Sequence, residues 1–101
     1  MVYARVSSWK FKRGQSEAGL KVLDQEIAPN VRTTKGFKGA LFLIPNEDAD
    51  SLLAITLWGT EEDQKISGKG IFQEATKKLE KYVDGPPDVK GYEVHSGELH
   101  V

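Results

Sequence analysis

Alternate residues near the start of the chain carry side chains suited to contact with a small molecule: Tyr3, Arg5, Ser7 and Trp9. In a β-strand, residues two apart point to the same face of the sheet, so these four would line one surface. A buried guanidinium without a partner is very costly. Arg5 therefore either pairs with an acid of a second copy of the chain or contacts an anionic or phenolate group of a ligand, which its planar guanidinium suits. Ser7 has no evident base arranged beside it, so a nucleophilic role for its hydroxyl is not supported.

The only imidazoles of the chain are His95 and His100, and there is no cysteine. On one strand, residues five apart face opposite sides, so the two histidines cannot form one metal site within a subunit. His95 is a candidate general base because imidazole titrates near neutral pH, although a lone histidine on a strand is more often structural. The lack of cysteine excludes disulfides, thiolate zinc sites and cysteine nucleophiles. We expect no metal centre.

Neither the glycine motifs nor the charge pattern indicates a nucleotide or nucleic-acid partner. Gly68-Lys69-Gly70 lacks the upstream glycine of a phosphate-binding loop, and Gly36-Phe37-Lys38-Gly39 is not a dinucleotide-binding fingerprint. The 14 basic and 15 acidic residues are mixed along the chain, with a net charge of −1, so no basic patch predicts nucleic-acid binding. No apolar run approaches the ~20 residues of a membrane span, and the N-terminus does not resemble a signal peptide. We expect a cytoplasmic protein that does not bind membranes.

The elements that must position these residues can be predicted from hydrophobic periodicity. Val2 to Trp9 alternates as a strand does. Ser16 is the expected N-cap of a helix that runs to about Asn30 or Arg32. Pro29 should distort or end this helix in its last turn. One apolar stripe follows the helix at spacings of three and four, formed by Leu20, Leu23, Ile27 and Val31.

The second half of the chain predicts three more strands and a broken helix. Ala40 to Ile44 and Leu52 to Trp58 are apolar on both faces and are joined by a short turn, which predicts an antiparallel hairpin. Thr60 should cap a helix whose first turn, Glu61-Glu62-Asp63, suits the positive end of the helix dipole. Ser67 to Gly70 should interrupt that helix, and a final strand is expected from about Val89 to Val101. The piece after the break carries a second apolar stripe: Ile71, Phe72, Ala75, Leu79, Tyr82 and Val83.

The element order β-α-β-β-α-β predicts one domain over residues 1–101, of the α+β, ferredoxin-like class. Its antiparallel four-stranded sheet would carry two helices on one face. Those helices can cover only that face, yet the two central strands are apolar on both. A large open apolar face would be unusual on a soluble monomer. A second copy of the chain is the simplest cover, so we expect a homodimer that packs through the sheet face.

Three segments resemble the antibiotic-biosynthesis-monooxygenase superfamily: Trp9-Lys10-Phe11-Lys12-Arg13-Gly14, Gly36-Phe37-Lys38-Gly39 before a strand, and Leu57-Trp58-Gly59-Thr60-Glu61-Glu62-Asp63. Phe72 after the helix break matches an aromatic that recurs in that family. The resemblance covers nearly the whole chain and is more specific for the fold than for any reaction. It implies a dimeric α+β barrel with one pocket per subunit, between helices and sheet.

Members of this family include oxygenases that need neither metal nor flavin and proteins that degrade haem. The haem-degrading branch carries an asparagine, a tryptophan and an iron-ligating histidine in its pocket. In this sequence those positions fall at Ser7, Trp58 and near Thr76. Two of the three residues are replaced, and without an imidazole there is no evident axial ligand. The resemblance therefore does not imply haem degradation here.

Two functions remain open from the sequence. The first is a cofactor-independent monooxygenase that acts on an aromatic or quinone-like molecule, whose enolate or phenolate form donates an electron to oxygen. The alternative is a non-catalytic homodimer that binds a small ligand or takes part in a stress response. The expected catalytic residues are Trp58, Ser7, Arg5 and His95. The expected ligand-binding residues are Tyr3, Trp9, Phe72 and Thr76.

Overall fold

One four-stranded sheet and two helical regions make up the computed structural model, which describes residues 1–100. The strands are antiparallel and lie in the spatial order β2-β3-β1-β4. Their bounds are β1 Val2–Lys10, β2 Phe37–Leu43, β3 Ser51–Trp58 and β4 Asp88–Val94. Helices follow β1 and β3, so the chain order is βαββαβ. The predicted ferredoxin-like α+β class is confirmed.

The outer strands differ in length from the prediction. β2 begins at Phe37 rather than Ala40, because Phe37 already pairs with Trp58 across a bulge before Gly39. β4 ends at Val94, well short of the predicted end at residue 101. Val94 pairs with Val2, the first residue of β1, so the chain beyond it has no strand to bond with. Residues 95–100 have no regular secondary structure, and residue 101 lies outside the described part of the chain.

The first helical region consists of α1 (Ser16–Val22), a π-helical segment (Leu23–Ile27) and α2 (Ala28–Arg32). The predicted distortion at Pro29 is confirmed, because a π-helical segment lies just before the short helix that contains this proline. Proline has no N–H to donate, and its ring clashes with the carbonyl four residues earlier. The predicted N-cap was wrong by one residue. Gln15 occupies the cap, because the N–H of Gly19 donates to its carbonyl at 2.9 Å, and its side chain forms no capping bond.

The second helical region is α3 (Glu61–Lys69) followed by α4 (Ile71–Leu79). Thr60 caps α3 as predicted, with its Oγ1 accepting from the N–H of Asp63 at 3.0 Å. The predicted interruption is confirmed at Gly70, which separates the two helices. Within residues 1–100, no helix combines the length and the apolarity that a membrane crossing requires.

The hydrophobic core lies between the helices and one face of the sheet, which we call the inner face; it carries Arg5, Ser7 and Trp9 of β1. Trp58 at the end of β3 is fully buried in this core. The ring of Phe11 packs so closely on α1 that a Cβ at Gly19 would collide with it. Both predicted apolar stripes point into the core, and their buried members are Leu23, Ile27, Val31, Ala75, Leu79 and Val83.

The opposite, outer face of the sheet has no helix over it. Leu41 and Leu43 of β2 are 48% and 42% exposed there, and Tyr92 of β4 is 46% exposed. Ile55 and Leu57 of β3 lie between them and are half-buried. Within a single chain, the apolar residues that the sequence places on both sides of the central strands are therefore covered on the inner face only.

Candidate functional site

A cavity of about 40 Å³ lies between the inner face and the helices. About 10–15 Å³ is needed for one water-sized group, so the cavity has room for only a few such groups. Apart from its two tryptophan N–H groups, it is polar only at Arg5, Ser7 and Thr56. The remaining lining comes from three strands and both helical regions: Trp9, Leu23, Ile27, Val31, Phe42, Leu52, Ala54, Trp58, Ile71, Phe72, Ala75 and Leu79.

Arg5 brings a guanidinium to the wall of this cavity, with only 7% of the residue exposed. Its Nη2 donates to the backbone oxygen of Gln64 and, at 2.6 Å, to Ser67 Oγ. The central carbon of the guanidinium lies 5.5 Å from the ring centroid of Trp58 and 5.2 Å from that of Phe72. Both distances are within the range of cation–π attraction. Two hydrogen bonds and two aromatic rings therefore fix the position of this charge.

The positive charge of Arg5 is not neutralised by an acid. Among residues 1–100, no carboxylate oxygen lies within 4.0 Å of its nitrogens. Burial lowers the pKa of the Arg5 guanidinium, because removal from water penalises the charged form. Nε and Nη1 have no hydrogen-bond partner in the described chain, and neither is fully shielded from a water-sized sphere. Of the two roles that the sequence allowed, contact with a ligand is the one that this placement favours.

The two tryptophans of the cavity are tied to their own strands. Trp9 Nε1 donates to Ser7 Oγ at 2.8 Å, and Trp58 Nε1 donates to Thr56 Oγ1 at 2.9 Å. In each pair the hydroxyl lies two residues earlier on the same strand face. The indole N–H groups are thus occupied, and the tryptophans present flat apolar walls. The Ser7 and Thr56 hydroxyls keep their own protons for donation to another group.

Helix α3 contributes polar residues where an apolar face would be expected. Gln64 and Ser67 are 8% and 2% exposed, whereas Ile66, an apolar residue of the same helix, is 58% exposed. Gln64 Nε2 donates to the backbone oxygen of Ala4 at 2.5 Å, and Ser67 Oγ donates to the backbone oxygen of Gln64 at 2.7 Å. The bond to Ala4, together with those from Arg5, fastens α3 to β1, and the bond within α3 fixes the Ser67 hydroxyl beside Arg5.

Sequence reasoning missed this polar face of α3. The signal was present as Gln64, Ser67 and Gly68, spaced three and four apart in a helix with no apolar stripe. Gly68 also lies against Arg5, because a Cβ added at this position would lie 3.0 Å from Arg5 Nη2. The absence of a side chain at this position lets the guanidinium reach the helix.

Five of the eight predicted site residues line the cavity: Arg5, Ser7, Trp9, Trp58 and Phe72. The other three lie elsewhere. Tyr3 shares the strand face of Arg5 but is outside the cavity, and the pKa of its hydroxyl is raised by desolvation and by the nearby carboxylates of Glu93 and Glu61.

Thr76 lies on the far side of α4, where its Oγ1 donates to the backbone oxygen of Phe72 at 2.9 Å. It borders a separate surface groove beside Pro86 and Pro87. His95 follows the end of β4 and is exposed. Neither residue lines the cavity.

The cavity is suited to binding an anion. A desolvated cation gives a strong electrostatic interaction in a low-dielectric site. No carboxylate, imidazole or amine lines the cavity in residues 1–100, so none of its residues is suited to act as a general base near neutral pH. The described chain also lacks any cluster of three acidic or histidine side chains that could hold a metal ion. The arrangement can bind, orient and desolvate a negatively charged group.

Several solved structures superpose on nearly the whole of this chain. A cofactor-independent oxygenase of Streptomyces nogalater, SnoaB, superposes with a TM-score of 0.78 over 95% of each chain, at 13% identity. The chain has the antibiotic-biosynthesis-monooxygenase fold. A monooxygenase from the ActVA-Orf6 gene of Streptomyces coelicolor, solved with nanaomycin D, gives a TM-score of 0.77 at 13% identity, covering 98% of this chain and 92% of that one. The fold resemblance identified from the sequence is thus confirmed.

The same fold also occurs in proteins without an assigned role. A protein of unknown function from Nitrosomonas europaea superposes with a TM-score of 0.82 at 16% identity, covering 99% of this chain and 95% of that one. No family model matches the sequence, and no curated protein matches it. The fold is therefore shared by oxygenases and by proteins of unknown function, so the fold alone does not determine what this chain does.

Proposed function

We propose that this chain is a cofactor-independent monooxygenase that acts on a small aromatic or quinone-like molecule bound as an anion. One observation carries the proposal: Arg5 places a buried cation, with no carboxylate partner among residues 1–100, on the wall of a cavity whose other polar groups are neutral. A buried charge with neutral partners only is costly to keep. It is useful when a ligand supplies the opposite charge.

In this proposal each cavity residue has a physical role. Arg5 holds the ionised oxygen of an enolate or phenolate and so increases the population of the electron-rich form. Trp58 and Phe72 flank the guanidinium and offer faces on which a ring can stack. The Ser7 hydroxyl can donate to a second oxygen of the substrate, while Trp9 keeps it in place.

The reaction needs no external reductant. The substrate anion passes one electron to O₂, and the resulting carbon radical and superoxide combine to a peroxide at the carbon next to the ionised oxygen system. When that carbon is a methylene, loss of water leaves a carbonyl. One atom of O₂ is then in the product, and the other leaves as water with the two methylene hydrogens. The protein supplies orientation and a cavity that excludes bulk water.

In this structure the cavity is smaller than the substrate that this proposal requires. Ligand pockets usually measure about 300–1,000 Å³, whereas this one measures about 40 Å³. Ile71 and Phe72 are half-buried lining residues that follow the helix break at Gly70. We propose that the entrance lies there, because Gly70 separates the first turn of α4 from α3.

The non-catalytic alternative is favoured by a separate observation. The cavity offers no general base in residues 1–100, so deprotonation must come from solvent or from the acidity of the ligand itself. A protein that only binds a small anion would need nothing more than this site. Oxygen consumption distinguishes the two functions.

A homodimer that packs through the outer face, giving a dimeric α+β barrel, is part of the proposal. The support is the row of apolar side chains left open on β2, where Leu41 and Leu43 are 48% and 42% exposed. Covering such a face with a second copy removes apolar surface from water. Arg5 and Ser7 face the helices instead, so dimerisation would leave the cavity intact.

The test is oxygen uptake with enolisable and phenolic compounds of one to three rings: resorcinol, 1,3-indanedione and anthrone. We expect uptake proportional to protein concentration with at least one of them, and incorporation of ¹⁸O from labelled O₂ into the product. Arg5→Met should abolish the activity. Arg32→Met, which removes an exposed arginine, is the matched control and should retain it. Ligand binding without any protein-dependent uptake would refute the oxygenase and favour the binding protein.

A further inference from the structure

The guanidinium of Arg5 is engaged in a way that restricts the shape of the anion it can accept. A guanidinium has five N–H donors in a fixed plane. It contacts two oxygens of one carboxylate or phosphate through either of two forks, Nε with Nη2 or Nη1 with Nη2. Both forks include Nη2, because the Nε hydrogen and one Nη1 hydrogen each lie beside it in the plane.

In this chain Nη2 is already occupied by α3. It donates to the backbone oxygen of Gln64 and to Ser67 Oγ, and these two acceptors are themselves joined by a hydrogen bond of 2.7 Å. A carboxylate in either fork would have to place one oxygen on Nη2, where it would compete with the Gln64 carbonyl oxygen and the Ser67 hydroxyl oxygen. A Cβ added at Gly68 would lie 3.0 Å from Nη2, so the guanidinium lies close against the helix.

The remaining donors suit anions that present a single oxygen. Nε and Nη1 have no hydrogen-bond partner among residues 1–100 and keep some accessible surface. The ring of Trp58 at 5.5 Å and the two hydrogen bonds of Nη2 to α3 hinder the guanidinium from turning to expose another edge. The Ser7 hydroxyl, two residues along the same strand face, is a further donor in the cavity.

We propose that Arg5 selects ligands with one ionised oxygen on a ring, a phenolate or an enolate, and discriminates against ring carboxylates. Gln64 and Ser67 are the positioning residues that set this preference by occupying Nη2. Because the cavity has no base in residues 1–100, Arg5 favours the ionised ligand by lowering the pKa of the bound phenol or enol. This inference rests on the ligand class of the proposed function but requires no reaction with oxygen.

The test uses two probes with the same ring and substituent, 4-nitrophenol and 4-nitrobenzoate. Ionisation of 4-nitrophenol is followed by its visible absorbance as pH is varied, with and without excess protein. Calorimetry at a pH where both probes are ionised gives the two affinities. We expect a bound-state pKa at least about one unit below that of the free phenol, a tenfold preference for the ionised form. The carboxylate should bind at least about tenfold more weakly than the phenolate.

Two variants test the residues. Arg5→Met should remove the pKa change, while the surface control Arg32→Met should keep it. Ser67→Ala removes one of the two oxygens that accept from Nη2. It should therefore raise the affinity for 4-nitrobenzoate relative to 4-nitrophenolate by several-fold. A purely structural role of Ser67 would not produce this effect. This variant also keeps the test valid if Arg5→Met does not fold.

Three results would overturn the inference: equal affinity of the native protein for both probes, a pKa change that survives Arg5→Met, or no binding of 4-nitrophenol at millimolar concentration. The outcome is separable from that of the proposed oxygenase. A lowered phenol pKa without oxygen uptake would retain the anion preference and refute the oxygenase. Oxygen uptake with no change in ligand pKa would do the reverse.

Discussion

Gly68 offers a direct test of how tightly Arg5 is held against α3. Replacing a helical glycine by alanine ordinarily stabilises a helix by up to about 1 kcal/mol. Here the added Cβ would lie 3.0 Å from Arg5 Nη2 and 3.6 Å from its Cζ. The guanidinium must move, and it is flanked by Trp58 and Phe72 and bonded to Ser67.

The expected size of the effect follows from these contacts. A hydrogen bond to a charged group contributes roughly 1.5–3 kcal/mol, and we expect Gly68→Ala to break one of the two that Nη2 makes. Subtracting the helix gain leaves a net loss of about 0.5–2 kcal/mol in the free energy of unfolding. For a domain of this length, 1 kcal/mol corresponds to a fall of about 4–8 °C in Tm.

Urea unfolding at fixed protein concentration, followed by tryptophan fluorescence, measures this change. The decisive comparison is the same substitution in an Arg5→Met background, where a flexible apolar side chain can yield. There Gly68→Ala should become stabilising by up to about 1 kcal/mol, so the double-mutant cycle should show a coupling of more than 1 kcal/mol. If Gly68→Ala stabilises the native protein as an ordinary helical glycine does, the contact between Arg5 and α3 is not as described.

Three further predictions address the dimer, acid stability and a helix cap. Leu41→Glu should shift the proposed dimer to monomer in sedimentation velocity, whereas Ile66→Glu, a change of another exposed apolar residue on the helical side, should not. Hydrogen bonds from Ser51 and Lys10 lower the pKa of Asp48 to about 2 from its usual 3.8. Because the folded pKa is depressed, the stabilisation is present above the unfolded pKa and should be lost as pH falls from about 4 to about 2. This loss should be absent in Asp48→Asn when unfolding is measured across that range. Thr60→Ala removes the acceptor of the Asp63 N–H and should lower the free energy of unfolding by about 1 kcal/mol in urea titrations, while Thr33→Ala, at an exposed threonine, serves as its control.

Much of the fold follows from local patterns in the sequence. The alternation of β1 and the apolar run of β3 each predict a strand, and the stripe through Leu23, Ile27 and Val31 predicts a helix and the face that it buries. The cap at Thr60 and the break at Gly70 were also readable, because the chemistry of caps and helix breakers acts within a few residues. The end of β4 was not, since it depends on where β1 begins to offer a partner.

The composition of the site was partly predictable. Arg5, Ser7 and Trp9 share a strand face through simple alternation, and Trp58 ends a recognisable strand. Gln64, Ser67 and Gly68 were overlooked because a polar helix face is normally exposed to solvent. Their role depends on which side of α3 meets the sheet, and that is decided by packing between segments about sixty residues apart in the chain.

Local patterns were enough to predict the elements, their order and an arginine on the first strand. The contacts of that arginine depend on tertiary packing, because its hydrogen-bond partners come from a helix distant in sequence and its accessible nitrogens depend on the placement of two rings. Local patterns are set by covalent geometry and solvent exposure over a few residues. The orientation of the buried Arg5 side chain and its hydrogen-bond partners are set by contacts between distant segments. Such contacts cannot be predicted from a short sequence pattern.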